Sequence, residues 1–191
     1  MALPSTTVTL LLLGVLLAGW YLSFSASRLD RLHARVEGAR SALDAQLVRR
    51  ASVALQLATS GFLDPASSLL LADAAHEARE ADPADRELEE SELTRALSAA
   101  LDQPGLRAAL DAEPAGHELV VELASACQRV ELARRFHNEA VRAARVVRRK
   151  RIVRYLRLAG YAPWPATFER DDTPPAALVR PSGTAGPTVV P

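Results

Sequence analysis

One cysteine, one lysine, few aromatic residues and no excess of either charge set the first bounds on this chain. Cys127 is alone, so no intramolecular disulfide forms and an oxidising compartment leaves no mark. Its place on the apolar side of a helical repeat makes it a small core hydrophobe rather than a reactive thiol. Arginine and lysine together number 23 and so do the acids, which removes the net positive field that recruits nucleic acid. Every cation but Lys150 is arginine, a matter of composition rather than of function. Aromatics make up 5% and β-branched residues are sparse. No stretch alternates apolar and β-branched with polar residues, so no strand is predicted. A Gly-rich phosphate loop and a Gly-x-Ser-x-Gly elbow are also lacking.

Alanine and leucine are abundant instead, which favours an all-α fold. The 191 residues allow one ordinary domain with an appendage. That appendage is "TTVTLLLLGVLLAGWYLSF", Thr6 to Phe24, without a single charge. At ~1.5 Å per residue it spans just under ~30 Å, about one hydrocarbon layer. Trp20 and Tyr21 near its end suit the lipid interface, and Arg28 and Arg31 follow as headgroup-level cations. A cleaved signal peptide is the rival, with "SFSAS" as a weak cleavage site. The apolar run is long for that role and no charge precedes it, so a retained anchor is expected. The arginines that follow (Arg28, Arg31, Arg35 and Arg40) place the N-terminus outside and the body in the cytoplasm.

The body reads as an antiparallel bundle of long helices. Leu29, Leu32, Val36, Ala39, Leu43 and Gln46 or Leu47 recur at steps of three and four along a first helix that Gly61 ends. Asp64-Pro65 opens a second helix with Leu69, Leu70 and Ala74 on its apolar face. Asp82-Pro83 repeats that start signal for a third, with Leu88, Leu93 and Leu97, which runs to about Leu101. A short element follows near Leu106 to Leu110. The last and longest helix carries Leu119, Leu123, Ala126, Val130, Ala133, His137, Ala140, Ala144 and Val147 in one stripe. Phe136 is expected to be buried beside Val130. The run Arg148, Arg149, Lys150 and Arg151 is expected to be a replaceable surface, and "GYAPWPATFE" beyond it, with three aromatics between prolines, is expected to fold back onto the bundle. Residues 1–27 are thus an anchor, 28–170 a helical body, and 171–191, rich in Pro, Gly, Ser and Thr, a disordered tail.

"RVEGARSALDAQLVRR", "ELTRALSAAL" and "ARRFHNEAV" then carry a resemblance. With the anchor before the first and "GYAPWPATFE" after the last, residues 6–170 resemble the LemA family of bacterial membrane proteins. His137 stands where that family tends to have an aromatic. Arg145 to Arg151 stands where it tends to have a Tyr-Asn pair and a Phe-Pro turn. The resemblance implies a single-pass anchor and a cytoplasmic four-helix bundle. It implies no enzymatic activity.

Candidate chemistry does not assemble. His137, Asn138 and Glu139 are adjacent and point ~100° apart on a helix, so they cannot share a ligand. His33 and Glu37 form a lone i, i+4 pair, short of a metal site. Cys127 and His137 lie ~15 Å apart along one helix. No catalytic residue, cofactor, metal, small-molecule substrate or nucleic acid is therefore expected. The acids between Asp73 and Glu92 read as a solvated face. The basic residues over 142–157 have three candidate partners: lipid, another protein, or that acidic face.

The expected function is a membrane-tethered scaffold at the cell membrane, its partners the bilayer and an unnamed protein. An adaptor of a membrane enzyme such as a protease is the alternative, and homo-oligomerisation stays open. One structural expectation is sharper. Gln46 and Arg50 of the first long helix, with Arg134, His137 and Asn138 of the last, fall on or beside the apolar stripes. They could form a polar layer between those helices, because a buried polar group without a partner costs ~1–3 kcal/mol.

Overall fold

The computed structural model describes residues 5–149, 164–169 and 178, and among these the regular structure is helical with no strand. Five helices follow one another: α1 (Ser5–Thr59), α2 (Pro65–Glu80), α3 (Arg86–Leu101), α4 (Leu106–Ala112) and α5 (Pro114–Arg148). Their ends obey local rules. Gly61 takes φ +83°, a left-handed value that glycine adopts without a Cβ penalty, just beyond α1. Asp64 caps α2: its Oδ1 accepts hydrogen bonds from the amides of Ala66 (3.0 Å) and Ser67 (3.1 Å), with Pro65 in the first turn. Gly105 at φ +82° leads into α4. Gly116 is buried in the first turn of α5, where a Cβ would come within 2.6 Å of the Leu110 carbonyl oxygen of α4.

The chain forms two compact units, to which α1 and α5 both contribute. The first holds residues up to Ser41 and Arg135–Thr167. Leu29 packs there with Val147, and Val36 with Ala140, Val141 and Ala144. Early α1 thus meets late α5, so the two segments run in opposite directions. Alanine at the seam lets them approach closely. The apolar segment lies in this unit and stands in contrast to the seam. Leu10, Leu16 and Trp20 are 67–71% exposed, whereas Leu29, the first core residue beyond them, is 1% exposed. It belongs to the one described helix that is long and apolar enough to cross a membrane.

The second unit holds Ala42–Arg134 and the chain from Phe168. Its core draws Ala51, Ala54 and Leu57 from α1, Leu71 and Ala75 from α2, Leu93 and Leu97 from α3, Leu110 from α4 and Leu123 from α5. Leu43 and Leu47 form a smaller cluster with Val130, which Ala133 and Phe168 adjoin.

Four sequence expectations need correction. The buried face of α2 is Leu71, Ala75 and Ala78, while Leu69 and Leu70 are exposed. Three consecutive leucines span ~200° of a helix, so only one can lead the core face. Leu70-Ala74 would bring Glu77 inward, whereas Leu71-Ala75 brings Ala78. In the next helix, a turn over residues 83–85 comes first, α3 begins at Arg86, and Leu88 is exposed although Leu93 and Leu97 are buried. Phe136 is 56% exposed, because Val130, His137 and Ala140 hold the inward face and Phe136 lies ~100° around the helix from His137. Arg148 is buried rather than on the surface. It lies four residues past Ala144 and so on the same seam. Lys150, Arg151 and the start of the closing segment lie outside the described residues, as does the tail apart from Leu178. That leucine is buried against the second unit's core.

Candidate functional site

The apolar segment continues into a helix face whose chemistry changes by steps. Trp20 and Phe24, one turn apart, stack with ring centroids 6.2 Å apart and planes 23° apart. Tyr21 is exposed beside them, and Arg28 and Arg31 are exposed in the next turns. At 100° per residue, Trp20, Tyr21, Phe24, Arg28, Arg31 and Arg35 all fall within about 100° of arc, on one side of α1. The order along that side is apolar, aromatic, basic.

The second unit contains a buried polar cluster. Arg50 of α1 is 2% exposed and Glu90 of α3 is 0% exposed. The Arg50 guanidinium donates through Nη1 to Thr94 Oγ1 (3.0 Å) and through Nη2 to the Glu90 carbonyl oxygen (2.9 Å). Nη2 also forms an ion pair with the Glu90 carboxylate. Thr94 Oγ1 donates in turn to the Glu90 carbonyl (2.9 Å). Charge is tolerated in this core because it is paired and hydrogen-bonded. Sealed from solvent, the cluster ties α1 to α3.

A third constellation lies in the first unit, where residues 164–166 are held against α5. Arg145 Nε donates to the Pro165 carbonyl (2.8 Å) and His137 Nε2 lies 3.3 Å from the Ala166 carbonyl. The Arg148 guanidinium sits over the Trp164 ring, 4.8 Å from its centroid, a cation–π contact.

The residues expected to form one polar layer are distributed as follows. Arg50 is buried and turns to α3, and His137 is buried and turns to Ala166. Gln46, Arg134 and Asn138 are half-buried. Sequence reasoning missed Glu90 and Thr94, the partners of Arg50. A signal existed: Glu90, Leu93 and Leu97 are spaced i, i+3, i+7, which puts Glu90 on the apolar stripe rather than on a solvated acidic face.

Two exposed carboxylates are perturbed. Hydrogen bonds from the Ser67 side chain and amide, from Gln103 and from the Ala66 amide lower Asp64 to about 2. A hydrogen bond from Arg107, then one from His117, lowers Asp111. Both are cap or surface interactions. Among the described residues no group of three or more His, Cys, Asp or Glu side chains is placed to hold a metal ion. No family model matches the chain, and neither does a curated protein or a solved structure.

Proposed function

We propose that this chain is a membrane-tethered helical scaffold without catalytic activity of its own, carried at the cytoplasmic face of the cell membrane. The supporting observation is the continuity of α1. Its exposed apolar residues up to Phe24 and its packed residues from Leu29 belong to one helix. An apolar stretch exposed on every side has no counterpart in a soluble domain and finds its solvent in lipid. The arginines directly beyond the aromatic residues favour the cytoplasmic side for the body. The sealed Arg50–Glu90–Thr94 cluster fits a role in holding helices rather than turning over a substrate. A LemA-like single-pass architecture, suggested by residues 35–50 and 133–141, is part of this proposal.

An adaptor that presents clients to a membrane enzyme is the second reading. Exposed Leu69, Leu70 and Leu88 on α2 and α3 favour it, since exposed leucines among acids suit a protein partner.

Alkaline washing of membranes tests the tether, and the chain should stay in the pellet. Protease added outside intact spheroplasts should spare residues beyond Arg28. Release into the wash overturns the tether, and digestion of the body from outside overturns the orientation. Recovery of one stoichiometric enzyme from detergent extracts selects the adaptor.

A further inference from the structure

The balanced charge of the whole chain conceals a division. Residues 1–41 and 135–167, the spans of the first unit, hold 13 arginines and lysines against 3 acids. The spans of the second unit hold 10 against 20. The apolar segment is therefore continuous with a strongly cationic unit. Within that unit the packing adds a second fact. With Leu29 against Val147 and Val36 against Ala140, Val141 and Ala144, the opposed helices fall into a fixed register. That register sets Arg28 level with Arg148, Arg31 with Arg145, and Arg35 with Arg142. Cations match cations at three successive heights. Arg145 and Arg148 turn to residues 164–165. Arg28, Arg31, Arg35, Arg142 and Arg149 are exposed and form no ion pair among the described residues.

Five exposed cations without an ion pair among the described residues leave a positive field that an external anion can neutralise. The position of these arginines selects which anion. Arg28 and Arg31 lie four and seven residues past Phe24, ~6–10 Å along the helix. A headgroup layer is ~5–8 Å deep, so both side chains fall at or just beyond it. Arg35 lies a further ~6 Å out, within a Debye length of ~8 Å from charged headgroups.

We propose that this unit is a reader of anionic phospholipid: Arg28, Arg31 and Arg35 of α1, with Arg142 and Arg149 of α5, gather acidic headgroups around the base of the tether. The proposal rests on the reading of α1 as a membrane tether. It assigns the basic end of α5 to lipid rather than to the acidic run between Asp73 and Glu92.

The full chain is reconstituted into vesicles of equal phosphatidylcholine and phosphatidylglycerol. It is then extracted in mild detergent, and the retained phospholipid is counted. Phosphatidylglycerol is expected to be enriched about fivefold, the effect of one arginine near a charged surface. The enrichment should fall towards the input ratio as salt is raised. It should fall likewise when Arg28, Arg31, Arg35, Arg142 and Arg149 are all changed to Gln. Arg79→Gln with Arg129→Gln, two cations of the other unit, should leave it unchanged. If the fivefold variant fails to fold, by circular dichroism, the salt dependence of the native chain decides. Retention at the input ratio, or enrichment indifferent to salt, overturns the lipid reading while an alkali-resistant chain keeps the tether. Release of the chain from these vesicles by alkali overturns both.

Discussion

Residues 42–134 bury side chains from all five described helices in one continuous core, while the first unit is joined along a narrow seam of valine, alanine and Leu29. The first arrangement buries more apolar side chain. It has leucines to bury and an internal ion pair to fix which helices meet. The second buries less, and its exposed surface is rich in arginine. A helix pair of that kind is marginal in water and draws stability from its surroundings. The difference lies in burial and charge together: an acidic body with a leucine-rich core, and a basic helix pair with a narrow seam.

The largest expected effect tests the leucine-rich half. Glu90→Leu strands the Arg50 charge in the core and should cost about 3–5 kcal/mol, measured by chemical denaturation of the full chain in micelles. Adding Arg50→Leu should recover most of that loss, since removing both charges leaves none uncompensated. If the double variant is as unstable as the single one, the pair does more than neutralise itself. Next comes a direct contrast of cores. Leu97→Ala should approach the upper end of the ~2–5 kcal/mol range and Leu29→Ala the lower end, because a sparse seam collapses around the gap more readily. The reverse order would erase the distinction between the units. Phe136→Ala should be smaller still, within about ±0.5 kcal/mol, since the ring is 56% exposed.

The last prediction concerns pH. Asp64 has a depressed value of about 2, so its cap contributes stability that is complete above the ordinary carboxylate range and fades as pH falls through 2. The melting point of Asp64→Ala should therefore lie below that of the native chain at pH 5. The gap should narrow steadily towards pH 2. A gap that stays constant would mean that the carboxylate is not what stabilises the start of α2.

Much of the architecture was legible in the sequence. Leu29, Val36, Leu43 and Leu47 on α1, and Leu123 through Val147 on α5, fell on buried faces because a long stripe averages out errors of phase. The cap at Asp64-Pro65 and the stop at Gly61 were legible because each rests on one residue's own chemistry. Short α2 was misread because three leucines in a row carry no phase. Phe136 was misread because it was placed with Val130, whereas it lies beside the stripe that His137 and Ala140 continue. The candidate site was less legible. Arg50 stood out as polar on an apolar stripe, but its partner depended on a contact between residues forty positions apart. Glu90 was hidden among acids of like type, and only its register with Leu93 marked it. The return of the chain along α5 was legible from the aromatics between prolines in "GYAPWPATFE", but the pairing of Arg148 with Trp164 depends on which residues that return brings together.

Gly116 bears on how this sequence can drift. α4 and α5 are joined through Glu113 alone, so the backbone near Leu110 lies where a side chain at position 116 would begin. The obstructing atoms are backbone, which cannot rotate aside as a flexible side chain does. Gly14, Gly19 and Gly38 have open space at the same point. In a library that samples every position, those three sites should accept alanine and larger residues. Position 116 should return glycine almost alone, as a fixed point in an otherwise permissive alanine-rich helix.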